Sequence, residues 1–484
     1  MEYKSYLYPE EAGVPSSALL AFHESLKKSG LCLHATMILR HGKIVHEAYW
    51  KPIDENFRHR IYSCSKSVTS IAVGKLVTEG RVRITDKISD YFKDLLPENP
   101  NRYVLSATIR DCLMMSSMNN ENSYKGGGGE GRQYRDWIWS FFNSNANHMP
   151  GAFFLYDTAA TTVLCALVER LTGKTFLEYL RPEFDIMGIS PKIDCVKTPD
   201  GIAWGGSGVR VTMRDYGRLA LLALNRGAWE GKQLIDHQYM LEATTRQIDN
   251  GSYGYGYQFW MDRDNGFWFN GMGSQFAFCY PERDLIICFH ADTQGSPAQP
   301  IIDAKNALFD SISDSALPAD EKAFAELKEF TSDLNIVCQT GELSSPRENE
   351  FFQKKYVMDK NPMGIKWMEF TVESGVGVWK YENEQGVCRV EFGFGKNVLG
   401  KFPQENYYYD QIGVPSGYRY DCAHSAAWVE PHKLVIRGWL IDRYLGNYRA
   451  EFSFIDDTVS VIMTKTAEWF LEEYQGIACG SYLR

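Results

Sequence analysis

The hydrophobic pattern of the first 315 residues changes from strand to helix and back to strand, and this change constrains the fold more than any other feature. Residues 34–50 contain two β-rich runs around a glycine turn, which predicts a hairpin. Residues 64–250 follow a mostly helical pattern, and strand-like runs return over 253–291 before a closing helix at 299–315. Because strands come from both ends, the pattern predicts an α+β domain with one antiparallel sheet and a helical insertion.

A polar and charged segment separates this region from a different kind of chain. The segment covers residues 319–345 and is bordered by Pro318 and Pro346. Beyond it, strand-like runs such as KWMEFTV, GVGVWKY and KLVIRGWLI follow one another to the end of the chain. We therefore predict an α+β domain over residues 1–318, which would carry the active site, a linker over 319–345 and a small all-β domain over 346–484.

Composition restricts the compartment and the partners. There are 51 Lys and Arg against 61 Asp and Glu, a net charge of −10 without any basic run, so nucleic-acid binding is not expected. No apolar run is long enough to span a membrane, and residues 1–30 lack the apolar core of a signal peptide. The 11 cysteines are spread singly and the ten histidines lack ligand spacing. We expect a reduced, cytoplasmic protein that uses no metal and no cofactor.

Ser63-Cys64-Ser65-Lys66 is the motif with the strongest chemical meaning. In S-x-x-K the serine and the lysine lie one helical turn apart and share a face. A serine at a helix N-terminus has backbone N–H donors near a developing oxyanion, and a lysine of lowered pKa can take its proton. The alternative is that Ser63 only caps the helix.

The chain has a second S-x-x-K match, Ser25-Leu26-Lys27-Lys28, inside a charged surface helix. Its lysines lie where the C-terminus of a helix favours positive charge, so we interpret this match as structural. Ser63 differs because it follows the apolar turn Arg60-Ile61-Tyr62 and precedes a helix too apolar to be exposed.

Ser63 lies in the longer stretch HRIYSCSKSVTSIAVGKLVTEGRVRITDKISDYF, residues 59–92. Further stretches follow in order: TIRDCLMMSS, PGAFFLYDTAATTVLCALVERLTGKTFLEYL, GGSGVRVTMRDYGRLALLALNRGAWEGKQLI and NGMGSQFAFCYPERDLIICF. Over about residues 10–315 the chain resembles the penicillin-recognising serine hydrolases, above all class C β-lactamases and their esterase, D-aminopeptidase and amide-hydrolase relatives. The resemblance implies a β-lactamase/DD-peptidase-like fold and catalysis by Ser63.

The resemblance implies a second motif, Tyr-x-Asn, which this chain matches with Tyr156-Asp157-Thr158. Tyr156 stands where the family has a general acid/base between nucleophile and leaving group. A tyrosine with a pKa of about 10 needs a cation nearby for this role, and Lys66 would supply it. Thr158 replaces the Asn, so Thr158 or Asp157 would have to orient Lys66. The alternatives are that Tyr156 is a core residue, or that Ser117-Met118-Asn119 is the motif, which its sequence context makes second choice.

The third motif of the family is usually Lys-Thr-Gly or His-x-Gly, and the matching residues here are Phe269-Asn270-Gly271, followed by Met272. Gly271 would let substrate approach the strand. The N–H groups of Met272 and Ser63 would form the oxyanion hole. Phe269 replaces the cation that would bind a substrate carboxylate, and we expect its ring to offer the substrate an apolar contact instead. The alternative is a plain glycine-bearing hairpin.

Two glycine-rich stretches carry no catalytic motif. Gly205-Gly206-Ser207-Gly208 fails the G-x-S-x-G spacing of a nucleophile elbow because residue 209 is Val. Gly126 to Gly129 lack the Lys and Ser/Thr of a phosphate-binding loop, and predict a flexible loop or a substrate lid.

The sequence therefore predicts a serine hydrolase for a small-molecule ester or amide without an essential carboxylate. Ser63 would be acylated, Lys66 and Tyr156 would move the protons, and water would release the acyl group. Two alternatives stay open. One is a catalytically retired relative that binds a ligand or partner, favoured by the missing Asn and cation. The other is a true β-lactamase or D-Ala-D-Ala carboxypeptidase, in which Arg132 or Arg210 would replace the cation.

Overall fold

The strands at both ends of the first domain form one sheet. The computed structural model describes residues 4–118, 132–403, 418–467 and 471–482. In the first domain the strands are β1 (Leu33–Arg40), β2 (Lys43–Tyr49), β3 (His59–Arg60), β4 (Asp194–Cys195), β5 (Val209–Val211), β6 (Ala228–Trp229), β7 (Lys232–Gln233), β8 (Trp260–Met261), β9 (Phe267–Gly271), β10 (Gln275–Tyr280) and β11 (Leu285–Ala291). Six of them form the antiparallel sheet β2-β1-β11-β10-β9-β8, so the prediction of a sheet from both chain ends is confirmed.

The region between the strand-rich ends is mostly helical, as predicted. The helices of this domain are α1 (Ser16–Lys28), α2 (Ser65–Thr78), α3 (Arg102–Ser106), α4 (Ile109–Leu113), α5 (Arg132–Arg135), α6 (Trp137–Phe142), α7 (Thr158–Thr172), α8 (Phe176–Tyr179), α9 (Arg181–Met187), α10 (Met213–Leu224), α11 (His237–Ala243), α12 (Gln299–Ser311) and α13 (Glu321–Ser332). Helix α10 packs on the sheet against β1, β10 and β11, and α7 packs against α2.

Helix α2 lies at the centre of this domain. Every residue from Ser65 to Leu76 is buried. Small residues make this possible: a Cβ on Gly74 would lie 2.6 Å from the Tyr239 ring, so only glycine lets the two helices α2 and α11 approach so closely. The apolar character that separates this S-x-x-K helix from the surface helix α1 therefore reflects burial on all sides.

The boundary between the two units differs from the expected linker. The chain divides between Asn335 and Ile336, and residues 319–335 belong to the first unit. Helix α13 begins after the N-cap Asp320 and packs against α1. Only two of its residues, Ala323 and Leu327, are buried. Most of the helix is therefore polar, and its composition resembles that of a linker even though its apolar residues have helical spacing.

The second unit is a closed β-barrel. Its elements are α14 (Glu348–Phe351) and the strands β12 (Lys355–Met358), β13 (Trp367–Glu373), β14 (Val376–Asn383), β15 (Gly386–Phe394), β16 (Val398–Lys401), β17 (Asp421–Glu430), β18 (Lys433–Ile441), β19 (Leu445–Ile455), β20 (Thr458–Thr466) and β21 (Gly476–Tyr482). Nine strands follow in the order β15-β14-β13-β12-β21-β20-β19-β18-β17, and β15 then pairs with β17. The expected all-β domain is confirmed, and the pairing of β15 with β17 closes the nine strands, with β16 paired to β17 beside them.

In the part of the chain that the structure describes, no helix combines the length and the apolar character needed to cross a bilayer.

Candidate active site

Ser63 lies in a 3-10 turn, Tyr62–Cys64, that leads into α2. Tyr62, immediately before it, has a φ of 46°, which is a strained conformation for a residue with a side chain. The Arg60 guanidinium lies 4.4 Å from the centre of the Tyr62 ring and helps to hold this turn. Cys64 occupies the N-cap position of α2, and no side chain caps the helix. The structure thus gives Ser63 no capping function.

Lys66 is directed at Ser63 from one turn further along α2. Its Nζ donates to Ser63 Oγ at 3.1 Å and to the carbonyl oxygen of Gly206 at 2.6 Å. Lys66 is almost fully buried, with 1% of its surface exposed. The ammonium also lies 4.9 Å from the centre of the Tyr156 ring. The two residues of the predicted S-x-x-K pair are therefore brought together.

A backbone carbonyl, that of Gly206, helps to orient Lys66, and the contacts described for Asp157 and Thr158 lie elsewhere. Asp157 instead caps α7, where its carboxylate accepts from the Ala159 N–H at 2.9 Å and from the Ser117 hydroxyl at 3.0 Å. Thr158 packs against the loop: a Cβ on Gly206 would lie 2.5 Å from the Thr158 methyl group. Glycine at 206 therefore lets its carbonyl come close enough to Lys66.

Arg60 fixes the same loop from the other side. Its Nε donates to the Ser207 carbonyl at 2.9 Å and its Nη2 to the Ser207 hydroxyl at 3.1 Å. Arg60 is fully buried, and its guanidinium also lies 5.2 Å from the Trp204 ring. The stretch 205–208, set aside because it is no nucleophile elbow, thus holds the lysine. Its run of glycines just before β5 was the available signal, since such runs mark close backbone approach.

Tyr156 contacts both predicted catalytic groups. Its ring lies over Lys66, and its hydroxyl is near enough to Ser63 for the serine to lower the Tyr156 pKa. Burial of the hydroxyl raises the pKa of Tyr156 above its usual value, and the effect of Ser63 offsets only part of this rise. At neutral pH Tyr156 is therefore a phenol that keeps its proton.

The third motif meets the Ser63 turn at the end of β9. A Cβ on Gly271 would collide with the Ile61 carbonyl oxygen and lie 3.0 Å from the Cys64 sulfur. The glycine therefore permits contact with the protein's own Ser63 turn. The Cys64 thiol donates to the Gln275 carbonyl at 3.0 Å, which ties this turn to the start of β10.

Gln275 fixes the turn that bears Met272. Its fully buried side-chain amide donates to the carbonyls of Met272 at 3.2 Å, Gly273 at 3.1 Å and Ala291 at 2.5 Å. Met272 itself is 38% exposed. Asn270 is half-buried on the opposite face of β9 from Gly271.

Phe269 has a different place from the one expected. It is fully buried, with its ring 5.1 Å from that of Phe259 and 5.7 Å from that of Tyr216. The expected contact between Phe269 and substrate is corrected, because a ring without exposed surface belongs to the core. The Asn119 of the second-choice motif and the loop Gly126 to Gly129 lie outside the described residues.

The two arginines suggested as substitute cations are both engaged with carboxylates. Arg210 Nε donates to Asp194 at 2.8 Å, and Arg210 Nη2 also pairs with Asp194. Arg132 donates to Asp136 at 3.0 and 3.1 Å and lies over the Trp139 ring. Both guanidinium groups thus already have a carboxylate partner within the protein.

Partly exposed aromatic rings adjoin Tyr156, and sequence reasoning did not identify them. We name Phe154, Tyr156 and Trp260 the aromatic wall. The Trp260 ring lies 5.6 Å from that of Tyr156 and 5.7 Å from that of Phe154, with the buried Tyr255 packed against Phe154 and Trp260. The aromatic content of 14% was the only hint of such a surface.

Comparisons with known proteins indicate the same family as the sequence motifs. The sequence model of the Beta-lactamase family matches residues 34–310. A 6-aminohexanoate-dimer hydrolase of Paenarthrobacter ureafaciens is 25% identical over 228 residues, which are 43% of this chain and 56% of that enzyme. The chain thus matches little more than half of that enzyme's length.

Solved structures share the fold. A penicillin-binding protein homologue from Caulobacter crescentus has a TM-score of 0.51 at 14% identity, covering 62% of this chain and 98% of its own. The hydrolase EstCE1, which has promiscuous acyltransferase activity, has a TM-score of 0.50 at 12% identity, covering 61% of this chain and 99% of its own.

Proposed function

Because the chain belongs to the beta-lactamase family of penicillin-recognising serine hydrolases, we propose that it is an active serine hydrolase with Ser63 as nucleophile. The observation that carries the proposal is the 3.1 Å contact between Lys66 Nζ and Ser63 Oγ, with the Tyr156 ring lying over the same lysine. A nucleophile needs a base within hydrogen-bond reach, and that base needs a third group to orient it. The Gly206 carbonyl meets this last need.

The proton path follows from the states of the two side chains. Lys66 in its neutral form takes the proton of Ser63 as Oγ bonds to the substrate carbonyl carbon. Tyr156, kept protonated by its raised pKa, donates to the leaving group as that bond breaks, and the Lys66 ammonium then restores the Tyr156 proton. Water attacks the acyl-enzyme by the reverse path and releases the acid.

The oxyanion of each tetrahedral intermediate would be bound by the backbone N–H groups of Ser63 and Met272. Support comes from the contacts that fix both turns. Gly271 and the Cys64–Gln275 hydrogen bond tie β9 and β10 to the Ser63 turn, and the Gln275 amide holds the Met272 carbonyl. Donors held before reaction need no reorganisation when charge develops.

The substrate we propose is an ester or amide with an apolar group and no essential carboxylate. The aromatic wall offers stacking surface next to Tyr156, and Arg132 and Arg210 are bound to carboxylates. Desolvation of a substrate carboxylate without a partner cation costs several kcal/mol. Similarity to a 6-aminohexanoate-dimer hydrolase is the reason to include amides in the tests.

A fluorophosphonate probe followed by peptide mapping tests the nucleophile. We expect label on Ser63, loss of label and turnover in Ser63→Ala, and no effect in Ser25→Ala, the matched change in the surface motif. Label on a different serine would contradict the assignment. Absence of label together with absence of turnover would favour a retired relative that only binds.

A substrate panel tests the specificity. We expect kcat/KM for p-nitrophenyl butyrate to exceed that for penicillin G by about 10²-fold, since ~3 kcal/mol of lost carboxylate hydration gives that ratio. Anilides of the same acyl chain would then rank amides against esters. Equal rates on penicillin G and the ester would favour a true β-lactamase.

A further inference from the structure

The interior of the C-terminal barrel contains polar groups that the described part of the protein leaves unsatisfied. Trp379 Nε1, His424 Nε2 and the Tyr448 hydroxyl have no hydrogen-bond partner. These residues are 0%, 3% and 1% exposed. Buried polar atoms are almost always hydrogen-bonded, because water no longer satisfies them. These three aromatic side chains therefore call for something that fills their hydrogen bonds.

The three side chains face the inside of the barrel. On β19 the Phe452 ring lies 4.9 Å from Phe370 and 5.1 Å from Trp379, which are on β13 and β14. These strands are not neighbours of β19 in the barrel order, so the rings meet across its interior. Tyr448 lies four residues before Phe452 and thus on the same face. The His424 ring lies next to that of Tyr448, with the two ring centres 5.6 Å apart.

A single glycine makes room for this pair. Gly438 on β18 stands between His424 and Tyr448 in the strand register. A Cβ at this position would lie 2.8 Å from His424 Nε2 and would collide with the Tyr448 ring. The two unsatisfied groups therefore occupy the surface of β18 that a side chain would otherwise cover.

Further aromatic rings join these groups. Trp379 stacks on Tyr381 with ring centres 4.4 Å apart, and Tyr448 lies 4.6 Å from Tyr474. The hydroxyls of Tyr381 and Tyr474 hydrogen-bond to each other. We name these five residues, Trp379, Tyr381, His424, Tyr448 and Tyr474, the barrel belt. Burial lowers the pKa of His424 to about 3, so the belt carries no charge at neutral pH.

We propose that the barrel belt binds one small, uncharged aromatic molecule that carries a hydrogen-bond acceptor such as a carbonyl oxygen. Trp379 Nε1 can only donate, so it requires an acceptor, and the Tyr448 hydroxyl can donate as well. The rings supply stacking surface, and a charged ligand would lose hydration that nothing here replaces. The interior of a barrel of about this strand number is either filled by side chains or holds one small ligand. The site lies in a different unit from Ser63 and is independent of the proposed hydrolase.

Acetophenone tests the proposal on the full chain, since it is an uncharged aromatic ketone without an ester or amide bond. We measure binding by saturation-transfer NMR and by thermal shift, with toluene as the probe that lacks the acceptor and benzoate as the charged one. We expect acetophenone to bind, toluene more weakly and benzoate not at all. Trp260→Ala in the aromatic wall should leave this binding unchanged.

A matched pair of variants separates ligand binding from packing. Tyr448→Phe removes an unsatisfied hydroxyl, so it should weaken acetophenone binding about fivefold without lowering the Tm of the free protein. Tyr356→Phe removes an equally buried hydroxyl that donates to the Phe351 carbonyl at 3.0 Å, so it should lower the Tm and leave binding unchanged.

Three results would overturn the proposal. Acetophenone binding that disappears in Trp260→Ala but survives in Tyr448→Phe would place the ligand in the catalytic unit. Benzoate binding as well as acetophenone would contradict the uncharged site. Absence of acetophenone binding, with Tyr448→Phe as destabilising as Tyr356→Phe, would mean that the barrel interior holds water only.

Discussion

Replacing His290 tests whether burial of histidines sets the acid stability of the first unit. Four histidines are buried there: His23, His34, His59 and His290. His290 stacks on His59 with ring centres 4.6 Å apart and on Tyr216 at 5.2 Å, and its Nε2 has no hydrogen-bond partner among the described residues. Burial, with the neighbouring His59 and His34, holds the pKa of His290 well below its usual value. His290 therefore stays neutral in the folded protein at a pH where the unfolded chain already takes up the proton.

The sign and size of the effect follow from proton linkage. Below about pH 6.5 the unfolded chain binds a proton at this histidine that the folded chain does not, so the free energy of unfolding falls as the pH falls. One such histidine removes about 2 kcal/mol of stability at pH 5 relative to pH 8. Phenylalanine keeps the ring stacking and cannot bind the proton. We compare the free energy of unfolding of His290→Phe with that of wild type at each pH. The difference, variant minus wild type, should be about 2 kcal/mol larger at pH 5 than at pH 8.

Urea unfolding followed by tryptophan fluorescence at pH 5, 6, 7 and 8 measures this difference, with the transition of the first unit analysed separately. His237→Phe is the matched control, since His237 lies exposed on α11 and solvent reaches it in both states. A difference between wild type and His290→Phe that is the same at pH 5 and pH 8 would refute the reasoning. It would mean that the folded protein accepts the proton without cost.

Three further predictions concern the active site. Lys66→Ala and Tyr156→Phe should each lower kcat/KM by about 10³-fold and the double variant little more, because one proton path uses both; multiplied losses would contradict a shared path. Gln275→Met should lower kcat about 10²-fold with KM nearly unchanged, because the Met272 turn loses its support, whereas a rise in KM alone would contradict this role. Phe269→Lys should lower the free energy of unfolding by ~3 kcal/mol or more without gain of penicillin hydrolysis, since its ammonium would be buried unpaired; efficient penicillin turnover by this variant would show that the side chain reaches substrate.

The parts of the site that could be predicted are those with local sequence signals. Ser63 and Lys66 are one helical turn apart, so the motif alone places them together, and the apolar helix after them distinguishes them from Ser25 and Lys28. Tyr156 came from family order, because its contact with Ser63 joins segments far apart in the chain. Such contacts have no periodicity that a single sequence reveals.

The parts that escaped prediction depend on backbone groups and on packing across elements. The carbonyl of Gly206 has no side-chain signature, so the glycine run at 205–208 indicates a close backbone approach but does not identify Lys66 as its partner. The alternation of side chains along β9 gives the face on which Phe269 lies. The residues that bury its ring, Tyr216 on α10 and Phe259, come from distant parts of the chain and could not be predicted. Helix α13 is mostly exposed, so its composition resembles that of a linker. Closure of the barrel rests on two residue pairs between β15 and β17.

The carbonyl anchor of Lys66 has a consequence for how relatives are recognised. A side chain that orients the lysine can be lost by one substitution, whereas a main-chain oxygen is present whatever residue occupies the position. What selection must preserve here is the shape of a glycine-rich loop, with Arg60 and Thr158 packed around it. With Tyr156-Asp157-Thr158 as the second motif, the third residue of that motif would not have to be the one that holds the lysine. Sequence searches that require an asparagine in the second motif would overlook relatives in which a loop carbonyl holds the lysine. A structural search for a loop carbonyl within hydrogen-bond distance of the lysine would find them.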